Sequence, residues 1–450
     1  MKASRVTFGF LTMCLLISTG CSGDSSSSSL SIFFSGDTSG WITPCGCTSN
    51  QSGGLSRRDT LISKHRQSSE VLLFDVGGNV AGDSQYDLSK LKYIFNGLRL
   101  MDYDVVNLGG PESQFSADQL RAVFTEDDLP LLSTNVTDQQ GKPIGKTHVV
   151  LHACGKSVAV LGVVDPDLVG NELIASDPGS AILRELDLID SDLVVLLAYM
   201  DAPKLREFAN RFPELDAVMG GPTGQVVPPT LVGSAMVASA TNKGKFLVHW
   251  QLPSGAEDRS AVENTRIVEV ESSIEMASRQ QQNLDSFYAA LDESDFSPNQ
   301  TTFVSARVQR KGGNLIAGSE TCVPCHQSDD AVWHNSKHVH AWASLEMTGA
   351  QVDPACQRCH TTGYGRQGGF VSHRISSQRV NVGCENCHGP SSRHVENPRT
   401  KTPYDARGQC LQCHDHENSP TFEYEEFWNR IIHGKTLSQA RTPVTIGLNR

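Results

Sequence analysis

The residues best equipped for chemistry lie near the C-terminus, in one pattern used four times. Cys322-Val-Pro-Cys325-His326, Cys356-Gln-Arg-Cys359-His360, Cys384-Glu-Asn-Cys387-His388 and Cys410-Leu-Gln-Cys413-His414 all read C-x-x-C-H. Two cysteines three residues apart can both form thioethers to the vinyl groups on one edge of a haem. The histidine that follows then swings beneath the ring as an axial iron ligand. Zinc ribbons made from paired C-x-x-C units would account for the cysteines, but not for a histidine after every pair. The pattern predicts four covalently bound c-type haems. Cys322, Cys325, Cys356, Cys359, Cys384, Cys387, Cys410 and Cys413 are the attachment points, and His326, His360, His388 and His414 the proximal ligands.

Each iron has a sixth position, and its occupant decides function. Seven further histidines follow Glu320: His334, His338, His340, His373, His394, His416 and His433. Bis-histidine irons are closed and low-spin, which suits electron transfer, whereas an open iron binds small molecules. We expect His338, His394 and His433 as distal ligands, with His373 or His340 as the fourth.

The rest of the chain must position these groups. Its 450 residues are 38% hydrophobic and 20% charged, enough for two or three domains with their own cores. The net charge of −12 argues against nucleic acid as a partner. All of that excess lies in residues 1–315, because 316–450 carry 13 cationic against 13 acidic side chains. Eight of the 13 cysteines fall between Cys322 and Cys413. The two halves therefore differ in chemistry. From Glu320 onward aliphatic residues are too few for an ordinary core, and a mainly helical domain filled by cofactor is expected.

At the N-terminus, Lys2 and Arg5 precede an apolar run from Phe8 to Ile17, too short to span a bilayer and suited to a secretory signal. Ser18-Thr19-Gly20 before Cys21 resembles a bacterial lipobox, except that Ser18 stands where Leu is usual. The resemblance implies lipidation at Cys21; ordinary signal cleavage nearby is the alternative. The serine run up to Ser29 reads as a tether. The expected organisation is a signal over 1–20, a tether over 21–30 and an α/β domain over 31–255. A strand, helix and linker over 256–318 and the haem domain over 319–450 follow.

Between Leu30 and Leu252 short β-rich runs alternate with amphipathic ones. Strands are predicted at Leu30–Phe34, Val71–Asp75, Asp104–Leu108, Ser157–Val163, Leu193–Leu197 and Phe246–Gln251. Helices are predicted near Gly54–His65, Leu88–Met101 and Ala181–Asp187. This alternation indicates an α/β layered sheet. Cys45-Gly-Cys47 sits in a Gly/Ser/Asn-rich loop after the first strand. A loop disulfide, pairing with Cys154, metal binding and a redox or haem-contacting role all remain open there.

Two family resemblances add to this. Residues from about Glu320 to His433 resemble the tetrahaem cytochromes typified by the electron acceptor of hydroxylamine oxidoreductase in nitrifying bacteria. Ser319-Glu-Thr-Cys322, Trp333 with Ser336-Lys-His338, and Cys356 to Gly363 carry the likeness. Val382 to Pro390 followed by His394, then Trp428 and His433, complete it. It implies stacked haem pairs, electron transfer, and in some members one five-coordinate haem. The front domain resembles the metallophosphoesterase fold of 5′-nucleotidases, a four-layer sandwich. The resemblance runs through Asp37-Thr-Ser39-Gly40, Leu73-Phe-Asp75, Val106 to Glu112, Val195 to Tyr199 and Asp216 to Gly224. At the family's metal-ligand positions stand Ser39, Gly110, Pro111, Tyr199, Pro222 and Gly224; only Asp37 and Asp75 survive. Two carboxylates cannot hold a dinuclear centre.

The sequence thus describes an exported, periplasmic, lipid-anchored tetrahaem electron carrier. It would serve a redox partner protein or a quinol-linked donor, and its front domain would dock or bind. An oxidoreductase acting on a small nitrogen or sulfur species at one open haem is the alternative; a phosphohydrolase is a remote third.

Overall fold

In the front half, strand alternation sorts apolar side chains into two separate cores. The computed structural model describes residues 29–44, 51–124, 129–241, 243–252, 261–304 and 313–434. Cys21, Cys45 and Cys47 lie outside the described residues. The strands in chain order are β1 (Ser29–Ser35), β2 (Ser69–Asp75), β3 (Val105–Asn107), β4 (Leu131–Leu132), β5 (Val136–Thr137), β6 (His148–Ala153) and β7 (Lys156–Val164). Then come β8 (Ile174–Ala175), β9 (Leu193–Tyr199), β10 (Ala217–Gly221), β11 (Val227–Val232), β12 (Ala235–Ser239), β13 (Phe246–Leu252) and β14 (Thr265–Glu269). One six-stranded sheet runs β14-β13-β1-β2-β3-β4 and a second β11-β12-β10-β9-β7-β6, while β5 pairs with β8. Neighbours from β1 to β4 are parallel, as are β7, β9, β10 and β12. Antiparallel strands sit only toward the edges.

Val158, Val160 and Val164 of β7, with Val195, Leu197 and Tyr199 of β9, point into the core shared by the two sheets. Their alternate neighbours Ala159, Leu161, Val163, Val194, Leu196 and Ala198 face a second core containing Leu205, Phe208 and Phe212. Strands covered on both faces read as continuous apolar runs for this reason. Helices α1 (Leu55–His65), α2 (Gln85–Leu100), α3 (Ala117–Val123), α4 (Pro178–Leu186), α5 (Ala202–Arg211) and α6 (Ser278–Ser294) supply the outer layers. α4 and α5 cover the second sheet, while α1, α2 and α6 pack together on the side of the first. The result is the expected four-layer α/β sandwich.

The sandwich continues past residue 255. β14 extends the first sheet in register with β13, Ile267 opposite Val248. Arg279 of α6 forms two hydrogen bonds to the buried Asp59 of α1, at 2.7 and 2.6 Å, and Gln280 Nε2 donates to Gly97 O at 2.8 Å.

The C-terminal domain is built from short helices: α7 (Ser319–Cys322), α8 (Gln327–His334), α9 (Ala341–Glu346), α10 (Pro354–His360), α11 (Cys384–His388), α12 (Ser392–Glu396) and α13 (Tyr424–Trp428). Its own buried apolar cluster is Trp342, Leu345, Ala350 and Phe370. Among the described residues no helix is long and apolar enough to cross a membrane.

Candidate haem sites and the front-domain turns

Each C-x-x-C-H motif sits where a short helix or turn can present two thiols and an imidazole together. In the second motif Asp353 caps α10, its carboxylate accepting Ala355 N–H at 2.8 Å, and Pro354 occupies the first turn, where no donor is missed. Cys356 and Cys359 then lie three apart on one helix face, with His360 at the end. In the third, α11 stops at Gly389, whose φ of 76° is costly for a residue with a side chain. The first motif bridges α7 and α8, and the fourth lies across the 3-10 turn Ala406–Gln412 and the residues after it. The Cys322 thiol lies beside that of Cys384, and the Cys359 thiol beside that of Cys413. The first motif therefore lies beside the third and the second beside the fourth. Glu385, within the third motif, accepts Ala317 N–H at 2.9 Å, Gly318 N–H at 2.7 Å and Ser391 N–H at 2.8 Å.

Three motif histidines face a second histidine ring. The ring centroids are 6.1 Å apart for His326 and His394, 6.2 Å for His414 and His338, and 5.8 Å for His388 and His433. Two imidazoles on opposite faces of one metal ion, each with a bond of about 2 Å, place their centroids ~6 Å apart. Anchoring at the other ring nitrogen frees Nε2 for a metal. His360 Nδ1 lies 2.7 Å from Ala341 O, His394 Nδ1 2.7 Å from Thr400 O and His433 Nδ1 2.8 Å from Ile431 O. His326 Nδ1 is 3.1 Å from Asp329 Oδ2, and His414 Nδ1 3.1 Å from Ser419 Oγ. Such partners fix the tautomer that a metal-bound histidine needs. Burial lowers the pKa of His338, His388 and His414 below the ordinary histidine value, and a neutral ring has a lone pair to give. Thiol pairs, anchored imidazoles and opposed rings together fit covalent haem.

The remaining candidates belong to none of these three pairs. His373 sits between Asp292 (3.4 Å) and Asp295 (3.7 Å), beside a smaller cavity at the domain boundary. His340 lines the main cavity. His334 is surface-facing, paired with Asp330 at 3.1 Å.

The main cavity measures about 2010 Å³, beyond the ~1,000 Å³ upper end for a single drug-sized ligand. Cys356, Cys359, His360 and His414 line one side, and Ser39, Trp41, Pro44 and Pro111 of the front domain line another. The front-domain turns thus open onto the cavity of the haem motifs, a juxtaposition without a local sequence signal.

In those turns the surviving carboxylates are occupied by protein donors. Asp75 Oδ1 accepts Gly77 N–H at 2.9 Å and Asn79 Nδ2–H at 2.8 Å, and Oδ2 accepts the Ser35 hydroxyl at 2.5 Å. Asp37 accepts the hydroxyls of Ser39 and Thr241. Glu112, fully buried, accepts Gly78 N–H at 3.1 Å and the N–H of Asn79, yet burial raises its pKa to about 7. Tyr199 fills the space beside them. A side chain on Gly78 would begin 2.9 Å from its hydroxyl, and one on Gly110 3.1 Å from its ring. Among the described residues no group of three His, Cys, Asp or Glu side chains is placed to hold a metal ion. Cys154 closes the β6–β7 turn at a φ of 49°, with its N–H bonded to Glu70 at 2.6 Å.

Comparison with known proteins divides along the same line. Residues 321–389 match the family model for cytochrome c554 and c-prime. Cytochrome c-554 of Nitrosomonas europaea is 28% identical over 139 residues, covering 23% of this chain and 59% of that protein. Protein 5NUC of Lutzomyia longipalpis is 22% identical over 188 residues, 38% of this chain and 32% of that one. The chain thus spans less than two thirds of either relative. Among solved structures, the calcineurin-like phosphoesterase YfkN of Bacillus subtilis is 16% identical with a TM-score of 0.49, covering 58% of this chain and 97% of that one. The C-terminal domain is similar to c-type cytochromes of the c554 family, as its motifs implied.

Proposed function

We propose that this chain is an exported electron-transfer protein whose C-terminal domain carries four c-type haems. Carrying this reading are the three opposed histidine pairs, at 5.8 to 6.2 Å between ring centroids. His326 with His394, His414 with His338, and His388 with His433 would each close one iron as a low-spin site. The haem supplies a reversible one-electron couple; the protein supplies thioether anchors, axial nitrogens and a dry surround. The proximities of Cys322 to Cys384 and of Cys359 to Cys413 favour two closely spaced haem pairs.

The front domain, in this reading, is no phosphohydrolase. Asp37 and Asp75 are engaged by hydroxyl, amide and backbone donors of the protein, and Tyr199 takes the room that metal ions would need. A signal over residues 1–20 and a lipid on Cys21 would hold the protein at the periplasmic face of a membrane. A redox partner protein or quinol-linked donor would exchange electrons with it there, and the acidic front half would steer a basic partner.

The test is to produce the full chain with haem-maturation machinery, count haem per polypeptide and record oxidised and reduced spectra with and without CO. Four low-spin haems indifferent to CO meet the proposal. A haem count below four overturns it. CO binding at one haem would instead favour an oxidoreductase for a small nitrogen or sulfur species, with hydroxylamine, nitrite and sulfite as first substrates.

A further inference from the structure

One buried set of contacts between the two domains meets at a single motif. Tyr86 and Lys90 stand one turn apart on α2 of the front domain and meet the same carboxylate. Tyr86 Oη donates to Asp353 Oδ1 at 2.7 Å, and Lys90 Nζ lies 3.9 Å from Asp353 Oδ2. The charged side chains of Lys90 and Asp353 are about nine-tenths buried, at 11% and 9% exposure. Asp353 is the cap of α10, the helix that carries Cys356, Cys359 and His360. Its main-chain oxygen also accepts the N–H groups of Cys356 and Gln357, both at 2.9 Å. Within the motif, Arg358 lies over the Phe303 ring at 4.9 Å, and Phe303 packs against Tyr86 at 5.6 Å. The front-domain turns with Trp41 and Pro111 line the cavity onto which this motif opens.

We propose that the front domain is a fixed electrostatic wall for the haem held by Cys356, Cys359 and His360, with Lys90, Tyr86 and Asp353 as the residues that position it and set its reduction potential. This rests on the haem reading above. Reduction adds one electron to that haem, so nearby buried charges act on it with little screening. The Lys90 ammonium favours the reduced state and the Asp353 carboxylate the oxidised state. As a pair they largely offset one another. Separating them exposes the haem to one charge at a time, and the sign of the change is fixed by which partner remains. The degenerate phosphoesterase shell would thus act on an internal haem, in addition to any external partner.

The test is potentiometric titration of the full haem-loaded chain, following each haem by its optical and EPR signals. Lys90→Met leaves the carboxylate alone and should lower one midpoint, and Tyr86→Phe should lower the same midpoint by less. Asp353→Asn leaves the ammonium alone and should raise it. The other midpoints should hold, and the one that moves should be the one altered by His360→Met. A helix merely loosened by the changes would move the potential in the same direction in all three variants, and that outcome overturns the proposal. So does a midpoint unmoved by Lys90→Met. If Asp353→Asn, which also weakens the cap of α10, yields no loaded protein, Lys90→Arg decides the matter: it keeps the charge and should hold the wild-type midpoint that Lys90→Met lowers, whereas loosening would move both. Haem counting on the same samples separates the two readings. Fewer than four haems in the wild type sinks the tetrahaem reading, whereas four haems with unmoved midpoints sinks the wall alone.

Discussion

Glu385 offers the sharpest test of how the haem domain is held together. Its side chain is 3% exposed and accepts three backbone N–H groups, at 2.7 to 2.9 Å. Two of these, from Ala317 and Gly318, lie just before the first C-x-x-C-H motif; Glu385 itself lies inside the third. One carboxylate therefore joins two C-x-x-C-H motifs far apart in the chain. Glu385→Gln keeps the shape. Oε1 still accepts Ala317 and Ser391, but the new amide NH2 opposes the Gly318 N–H, donor against donor. One hydrogen bond to a charged group is worth about 1.5–3 kcal/mol, so a loss of about 2–3 kcal/mol is expected. Glu385→Ala strands three buried donors and should cost about 4–6 kcal/mol, allowing for partial entry of water. Urea titration of the haem-loaded protein, followed by loss of axial ligation in the Soret band, measures both. Thioethers keep the haem on the chain throughout. A glutamine variant as stable as wild type to within about 0.5 kcal/mol would refute the reasoning, as would one no better than alanine.

Other expectations concern both domains. Burial raises Glu112 from 4.5 to about 7, so the folded chain keeps a proton that the unfolded chain gives up at lower pH. Front-domain stability should therefore fall by about 3 kcal/mol as pH rises from 4.5 through 7, and Glu112→Gln should flatten that slope in chemical denaturation series. Tyr199→Ala empties the space beside Gly78 and Gly110 and should cost about 3–5 kcal/mol. Added manganese or zinc should still give no turnover of nucleotide or bis-phosphoester substrates by that variant, because Ser39, Pro111, Pro222 and Gly224 bring no metal-binding nitrogen. His433→Ala should turn one haem high-spin and CO-reactive with the haem count unchanged, a difference readable by EPR.

Some of this was legible in the sequence because it is local. The C-x-x-C-H spacing depends only on one short turn, and the long parallel strands β1, β2, β7 and β9 announce themselves as apolar runs. β10 and β12 are harder. They read Ala-Val-Met-Gly-Gly and Ala-Met-Val-Ala-Ser, small residues kept small by what lies above them. A side chain on Gly220 would overlap Leu205 of α5, so close packing has replaced the bulky residues that mark a strand. α5 carries only Leu205, Phe208 and Ala209 on its buried face, too narrow a stripe to stand out, although Asp201 before Ala-Pro is a helix-start signal that could have found it. The histidine pairings lie beyond spacing altogether. His326 and His394, or His388 and His433, are brought face to face by the whole domain. The Tyr86–Asp353 bond likewise joins residues 267 positions apart, and nothing near either of them announces it.

The small apolar cluster of the C-terminal domain has a consequence for biogenesis. Trp342, Leu345, Ala350 and Phe370 are far too little hydrocarbon to offset the ordering of more than a hundred residues. The sandwich in front of them carries two much larger cores, the first of which also takes in Val352 of the C-terminal domain. On the proposed haem reading, assembly would then have an order: the N-terminal body first, followed by a C-terminal chain that stays open to the enzymes of haem attachment until its cofactors arrive. On that reading, the scarcity of core among the described residues would keep the thiols reachable during the one interval when they must react.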